Sequence, residues 1–517
     1  MADKSSMVTE ARQPSQTTVA EGLASEDDAA ALGLCQLVNN ETTLSLTLAM
    51  PARLGYKQEL RRNFTMLEVF GGLYWWTHCF ASPKTRNALS FLVGYSNTLG
   101  LVGGLCSIDY GFSLMFVSVI VIARDGNWTP SNGVIFAVFL ACVLCHGVLA
   151  STLSKVMGKL QTVFVVMNFV LIFATIIALP IGRASQRNSK GFIFGETANL
   201  TTWPTGWTFM LSWLSFDACV HMSEEAANAT RAVPYGILMS IGSCWLFGFI
   251  LVIVIAACMT PDFESLLSSP FGQPMAQIYY DAIGKNGTLG LMSLLFIVQF
   301  LMGLSITVAA SRQAWAFSRD GALPFSSFFR VISKKFGYIP LRAVWGCVLL
   351  AAVLGLLCLI APAAAQALFS LAVAGNNVAW GVPILARVVW GQKKFKPGPF
   401  YTGRYSVVIA WTAVVFLAFG IILSMFPVGG PDPTPQTMNY TVVINSAVWG
   451  GALAYYFIDA RKWFVGPKIT LDLDDLSESQ EKALQDEGLE IQGLPTRRSR
   501  SLGESDGPQH GNGAEKV

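Results

Sequence analysis

Long apolar stretches separated by short polar ones dominate the chain from about residue 89 onward. The apolar runs are Leu89 to Ile122, Gly133 to Leu153, Leu160 to Ile181, Ile237 to Met259, Leu289 to Ala310, Val344 to Ile360, Ala367 to Val389, Val407 to Phe426 and Val442 to Ile458. A helix crossing the hydrocarbon of a bilayer needs about 20 mostly apolar residues, so each run predicts one crossing. The segment Trp207 to Val220 is different, because ten apolar or neutral residues precede Asp217 and it makes only half a span. The pattern predicts an all-α, polytopic membrane protein.

Loop charge decides whether the half-span crosses. Cytoplasmic loops near span ends carry the excess of Lys and Arg. With the half-span crossing and the N-terminus inside, Lys84, Arg86, Lys155, Lys159, Arg231, Arg312, Arg319, Arg330, Lys334, Lys335, Arg342, Arg387, Lys393, Lys394, Lys396, Arg404, Arg461 and Lys462 all fall inside, while Arg124, Arg183, Arg187, Lys190 and Lys285 stay outside. Omitting that crossing inverts every later loop. The pattern therefore predicts ten crossings with both termini cytoplasmic.

Composition agrees: 53% of residues are hydrophobic and 13% charged, with mean hydropathy +0.49, more apolar surface than one soluble core uses. The net charge of +3 is too small and scattered to suggest a nucleic-acid partner. Residues 1–56 and 469–517 are polar, read as disordered cytoplasmic tails, and flank a transmembrane domain at 57–468. No cleavable leader is expected, since the early residues lack a sufficient apolar run. Most cysteines lie inside apolar runs and read as packing residues. This includes Cys142 and Cys145, which form a C-x-x-C beside His146 on a lipid-embedded helix. No metal, phosphate-loop or hydrolase constellation is visible, so neither a metal nor a cofactor is expected, and the chain does not read as an enzyme.

Ionisable and amide side chains inside spans each need a reason, because an Asp at a helix centre costs about 2.5–3.5 kcal/mol on insertion scales. Asp109 sits in the first run. It is either a counter-ion or proton relay for a solute, or a residue that a helix longer than the bilayer carries to the outer interface. Ser215, Phe216 and Asp217 stand where the half-span loses its apolar character, the pattern of a broken transporter helix whose freed backbone binds solute near the midplane. His221, Glu224 and Glu225 follow, either as part of that site or as solvated charges at a helix end. Asn376 and Asn377 offer amides for interhelical hydrogen bonds or for lining a polar path.

The stretch FDACVHMSEEAANATRAVPYGI, from Phe216, is similar to the sixth-helix signature of fungal amino-acid permeases in the amino acid, polyamine and organocation superfamily. SRQAWAFSRDGALPFSSFF at 311–329 resembles that family's cytoplasmic loop after its eighth helix. The resemblance covers about Lys57 to Lys468 and is closest to the GABA permease branch, with choline and polyamine carriers as neighbours. It implies a twelve-helix carrier of two inverted five-helix repeats plus two further helices, with solute held between the unwound middles of the first and sixth, and transport driven by protons. Phe216 and Asp217 match the sixth helix just after its unwound part. Arg319, Asp320 and Gly321 match the loop motif, and Glu224 belongs with the gating residues.

The sequence also departs from the pattern. After Glu68-Val69-Phe70-Gly71 the family continues into its first two helices, whereas Gly72 to His78 resembles the segment after the second. Roughly sixty-five residues are missing there by the family's pattern, and about seven more between Ser215 and Phe216. The expectation is a remnant of the inverted-repeat fold with about ten spans instead of twelve. Its partners are the bilayer, an amino acid or amine solute such as GABA, and protons. Plasma membrane is the expected location, with the vacuolar membrane as the alternative, and transport by this form is in question. The alternative function is a non-transporting isoform or a membrane nutrient sensor.

Overall fold

A computed structural model describes residues 72–467 apart from 154–155, 197–202, 205–228, 334–338, 360–361, 396, 398–399, 428–429, 435–437 and 439. Both tails and the half-span, with Ser215, Phe216, Asp217 and Glu224, lie outside the described residues. In chain order the helices are α1 Gly72–Phe80, α2 Arg86–Ala123, α3 Asn132–Thr152, α4 Met157–Gly182, the short α5 Lys190–Gly195, α6 Ala229–Cys258, the short α7 Phe263–Leu267, α8 Pro274–Arg319, the short α9 Ser326–Phe329, α10 Leu341–Gly355, α11 Pro362–Val389, α12 Ser406–Ser424 and α13 Thr441–Ile458. Among the described residues, nine helices are long and apolar enough to cross a membrane, and they coincide with the nine full runs of the sequence. Regular strands are absent there, apart from one isolated bridge between Ser333 and Ile339.

Two helices overrun their apolar segments. α8 has 46 residues and breaks at Gly284, whose φ of 69° and ψ of −179° separate an outer helical piece from the crossing itself. Gly tolerates that conformation because it has no Cβ. At its other end α8 runs nine residues past the expected span, so the SRQAWAFSR half of the anticipated loop is helix. Those residues stay helical because they are buried: Ser318 and Phe317 are fully covered and Arg319 is 7% exposed.

α2 has 38 residues, about 57 Å at 1.5 Å per residue against a hydrocarbon thickness of about 30 Å. It forms the axis of the molecule, packing on α1, α3, α8, α10, α11 and α13. Small residues permit this, as they do in membranes, where close packing must do what the hydrophobic effect does in water. A Cβ at Gly94 would overlap the Phe317 ring of α8, one at Gly104 would meet Ile306 at 2.7 Å, and one at Gly375 of α11 would meet the Ser96 carbonyl of α2 at 2.8 Å. By contrast α4, α6 and α12 turn large apolar side chains outward, including Val166, Ile177, Trp245, Phe249, Val408 and Ile422. That surface suits lipid.

Polar contacts gather at the two ends of the bundle. At one end, Lys394 Nζ donates to the Cys79 carbonyl, Tyr74 meets Asp320, and Phe464, after α13, joins Tyr74, Phe91 and Phe317 in one apolar cluster. At the other, Lys285 pairs with Asp125 at 2.6 Å and Arg183 with Asp281 at 3.3 Å. The expected cytoplasmic loops 79–86, 319–330, 387–395 and 459–464 contribute to the first end, the expected outer ones to the second.

Candidate functional site

Three buried polar places stand out, two of them against α2. The first lies in the interior of the bundle. Asp109, from α2, and His146, from α3, are both fully buried, and their Oδ2 and Nδ1 atoms are 2.9 Å apart. The overshoot reading of Asp109 is thereby corrected. The helix is longer than a bilayer needs, but Asp109 is buried against His146 of α3 and Gly303 of α8 rather than carried to an exposed position. Cys142 stands one turn before His146 on the same face of α3, with Sγ 3.9 Å from Nδ1, because residues four apart in a helix are neighbours. Cys145 is exposed on another face, so the C-x-x-C is no dithiol pair.

α8 closes this place. Phe300 lies on the imidazole with centroids 4.4 Å apart, and Gln299 Nε2 donates to the Ile108 carbonyl at 3.1 Å. Gly303 faces the pair so closely that a Cβ would overlap Asp109 Oδ1 and His146 Cε1. Asp109 Oδ1 is buried and makes no hydrogen bond among the described residues. The donor atoms of Asp109, Cys142 and His146 all lie within 4.8 Å of one another, and they are the described residues with a donor set able to hold a metal.

The second place is Asn376, on α11. Its Oδ1 is buried without a hydrogen-bond partner, and Gly100 of α2 approaches it so that a Cβ would lie 3.1 Å away. Asn377 is only partly buried. The two amides are thus not equivalent: one is wedged into the α2–α11 crossing.

The third place is the loop motif. Asp320 caps α8 and Gly321 follows with φ of 83°. Gly321 N–H donates to the Ser318 carbonyl and Ala322 N–H to that of Phe317, the paired bonds of a Schellman stop that requires a left-handed residue at Gly321. Asp320 Oδ2 accepts from the Tyr74 hydroxyl at 2.5 Å. Arg319 lies over the Trp315 ring, 5.1 Å from its centre, with Nε 3.5 Å from Asp320 Oδ1. The motif ends α8 and fastens it to α1.

α1 also carries His78, outside the nine spans and 4% exposed. Burial, with help from Arg86 and Lys394, pushes its pKa down from 6.5 to about 4. Between those values the unfolded chain binds a proton that the folded one refuses, so stability rises with pH across the window and is lost as pH falls from about 6.5 to about 4. The contribution is about 3 kcal/mol at 1.36 kcal/mol per unit. His78→Gln should flatten the pH dependence of the unfolding temperature in detergent over that range; an unchanged slope would contradict the assignment.

Sequence reasoning singled out Asp109 but missed its partner. The signal was present in the four-residue spacing of Cys142 and His146, which the more familiar C-x-x-C reading obscured.

Comparison with known proteins places these features. Residues 63–448 match the family model described as amino acid permease. The chain is 38% identical to the GABA-specific permease of Saccharomyces cerevisiae over 496 aligned positions, covering 83% of this chain and 87% of that one. It is 30% identical to the amino-acid permease BAT1 of Arabidopsis thaliana, covering 77% and 80%, and 32% identical to an uncharacterized amino-acid permease of Schizosaccharomyces pombe, covering 78% and 75%. In the first comparison 83% of 517 residues is about 429, so about 67 of the 496 aligned positions face no residue of this chain.

Proposed function

Because the chain belongs to the amino acid permease family, an integral multi-pass family of transporters rather than enzymes, we propose that its solute is GABA or a closely related amine-bearing amino acid. The observation that carries this reading is the 38% identity to a GABA-specific permease across most of both chains. We also propose that protons drive the transport and that the plasma membrane is its location; choline and polyamines are the competing solutes.

The same reading includes a deficit. The unmatched positions total about 67, enough in number for two crossings of about 20 residues with their loops, and we place most of them after Gly71. A carrier with a broken-helix site needs freed backbone groups at the midplane to hold the charged ends of the solute. With one of the two helices gone and Ser215-Phe216 shortened, the 517-residue form is a permease scaffold that inserts without concentrating solute.

Solute and coupling are tested on a version with family-like residues restored after Gly71 and after Ser215. Its uptake of labelled GABA should be competed by excess GABA and not by choline or spermidine, and a protonophore should abolish accumulation. Competition by choline or spermidine in preference to GABA would reassign the solute, and protonophore-insensitive accumulation would remove the proton.

A further inference from the structure

We propose that Asp109, Cys142 and His146 bind one transition-metal dication of the zinc type where α2 meets α3. The proposal concerns the intact scaffold of this chain and does not depend on what the protein carries.

Geometry is the first argument. Zinc holds nitrogen and oxygen ligands at about 2.0–2.2 Å and sulfur at about 2.3 Å in a tetrahedron, which sets ligand atoms about 3.3 Å (N to O) and about 3.6 Å (S to N) apart. Here Oδ2 and Nδ1 are 2.9 Å apart and Sγ and Nδ1 3.9 Å apart, each within about 0.4 Å of those separations, and all three donors lie within 4.8 Å of one another. Cys142 and His146 are presented from one helix face at the four-residue spacing that two-ligand helices use, and Asp109 is delivered from a second helix.

Charge is the second. Among the described residues Asp109 contacts His146 and forms no ion pair with a Lys or Arg. A dication bound by a carboxylate, a thiolate and a neutral imidazole is electrically neutral, which suits a membrane interior where an isolated ion is costly. The third observation is independent of both: Asp109 Oδ1 is a fully buried acceptor without a partner, beside a glycine, Gly303, that any side chain would replace with a clash. The N, O and S donors are the mixed set that zinc takes, and that magnesium or calcium, which prefer oxygen, do not. Loading would occur as the helices assemble, since metal binding and folding are coupled when the ligands come from separate elements.

The full chain, purified in detergent from cells grown with added zinc, should carry close to one equivalent of zinc by elemental analysis. Growth with cobalt should give the thiolate-to-cobalt charge-transfer band in the near ultraviolet. Cys142→Ser should lose that band and most of the metal, while Cys145→Ser, three residues away and exposed, should retain both. Asp109→Asn provides a second reading should the serine variant not purify, and should lose most of the zinc. Metal-free wild-type protein, or zinc content unchanged in Cys142→Ser and in Asp109→Asn, would overturn the proposal.

Discussion

Cells expressing the restored protein are expected to accumulate labelled GABA saturably, to several-fold above the outside concentration, where cells expressing the 517-residue form show only background. The expectation rests on what the missing segments supply. Backbone N–H and C=O groups are tolerated at membrane depth without helical partners only where they line a protein cavity, and such a cavity is what a solute with charged ends needs. In this chain α2, α8 and α11 are already fastened to one another through Gly94, Gly104 and Gly375. On the proposed reading, the helices that would complete the solute site are those this chain shortens or lacks. Surface expression of both forms must be equal for the comparison to count. Equal accumulation by both forms would show that the gap leaves the site whole.

Asp109→Leu is expected to destabilise the bundle far more than loss of the exposed ion pair near the end of the same helix. It leaves His146 Nδ1 buried without its hydrogen-bond partner Asp109 Oδ2, and stranding a buried polar group costs about 1–3 kcal/mol. The same helix offers an internal control just past its outer end. Asp125 and Lys285 form an ion pair of shorter separation, 2.6 Å, but their side chains are 59% and 35% exposed, and exposed pairs contribute about 0–1 kcal/mol. Asp109→Leu should lower the unfolding temperature in detergent markedly, and Asp125→Ala by little. If the two substitutions have similar effects, burial is not what gives the inner pair its strength.

The spans were legible because lipid imposes a simple rule on sequence: about 20 apolar residues, all round the helix, with charges confined to the ends. Where protein rather than lipid surrounds the helix, that rule is silent. Residues 311–319 are polar enough to read as loop, yet they remain helical where α1, α2 and the residues after α13 cover Phe317 and the core around α2, α3 and α10 covers Ala314, Trp315 and Ala316. Gly321 was legible as a motif residue, and its positive φ explains in one stroke why a glycine stands there. Asp109 was visible as an anomaly, but its partner was not, since His146 lies on another helix and only the packing of α2 on α3 brings them together. Asn376 and Asn377 look equivalent in sequence, and the rotation of α11 separates them. Ser215, Phe216 and Asp217 remain candidates of the proposed solute site on the strength of the broken-helix pattern, and Glu224 a candidate gating residue.

The central claim, a permease scaffold without a finished solute site, is tested most directly by equilibrium binding of labelled GABA to the purified 517-residue chain, which separates the site from the driving force. The account predicts no saturable binding by this chain, alongside saturable binding by the restored protein that excess unlabelled GABA displaces. Saturable, displaceable binding by the 517-residue chain itself would contradict it.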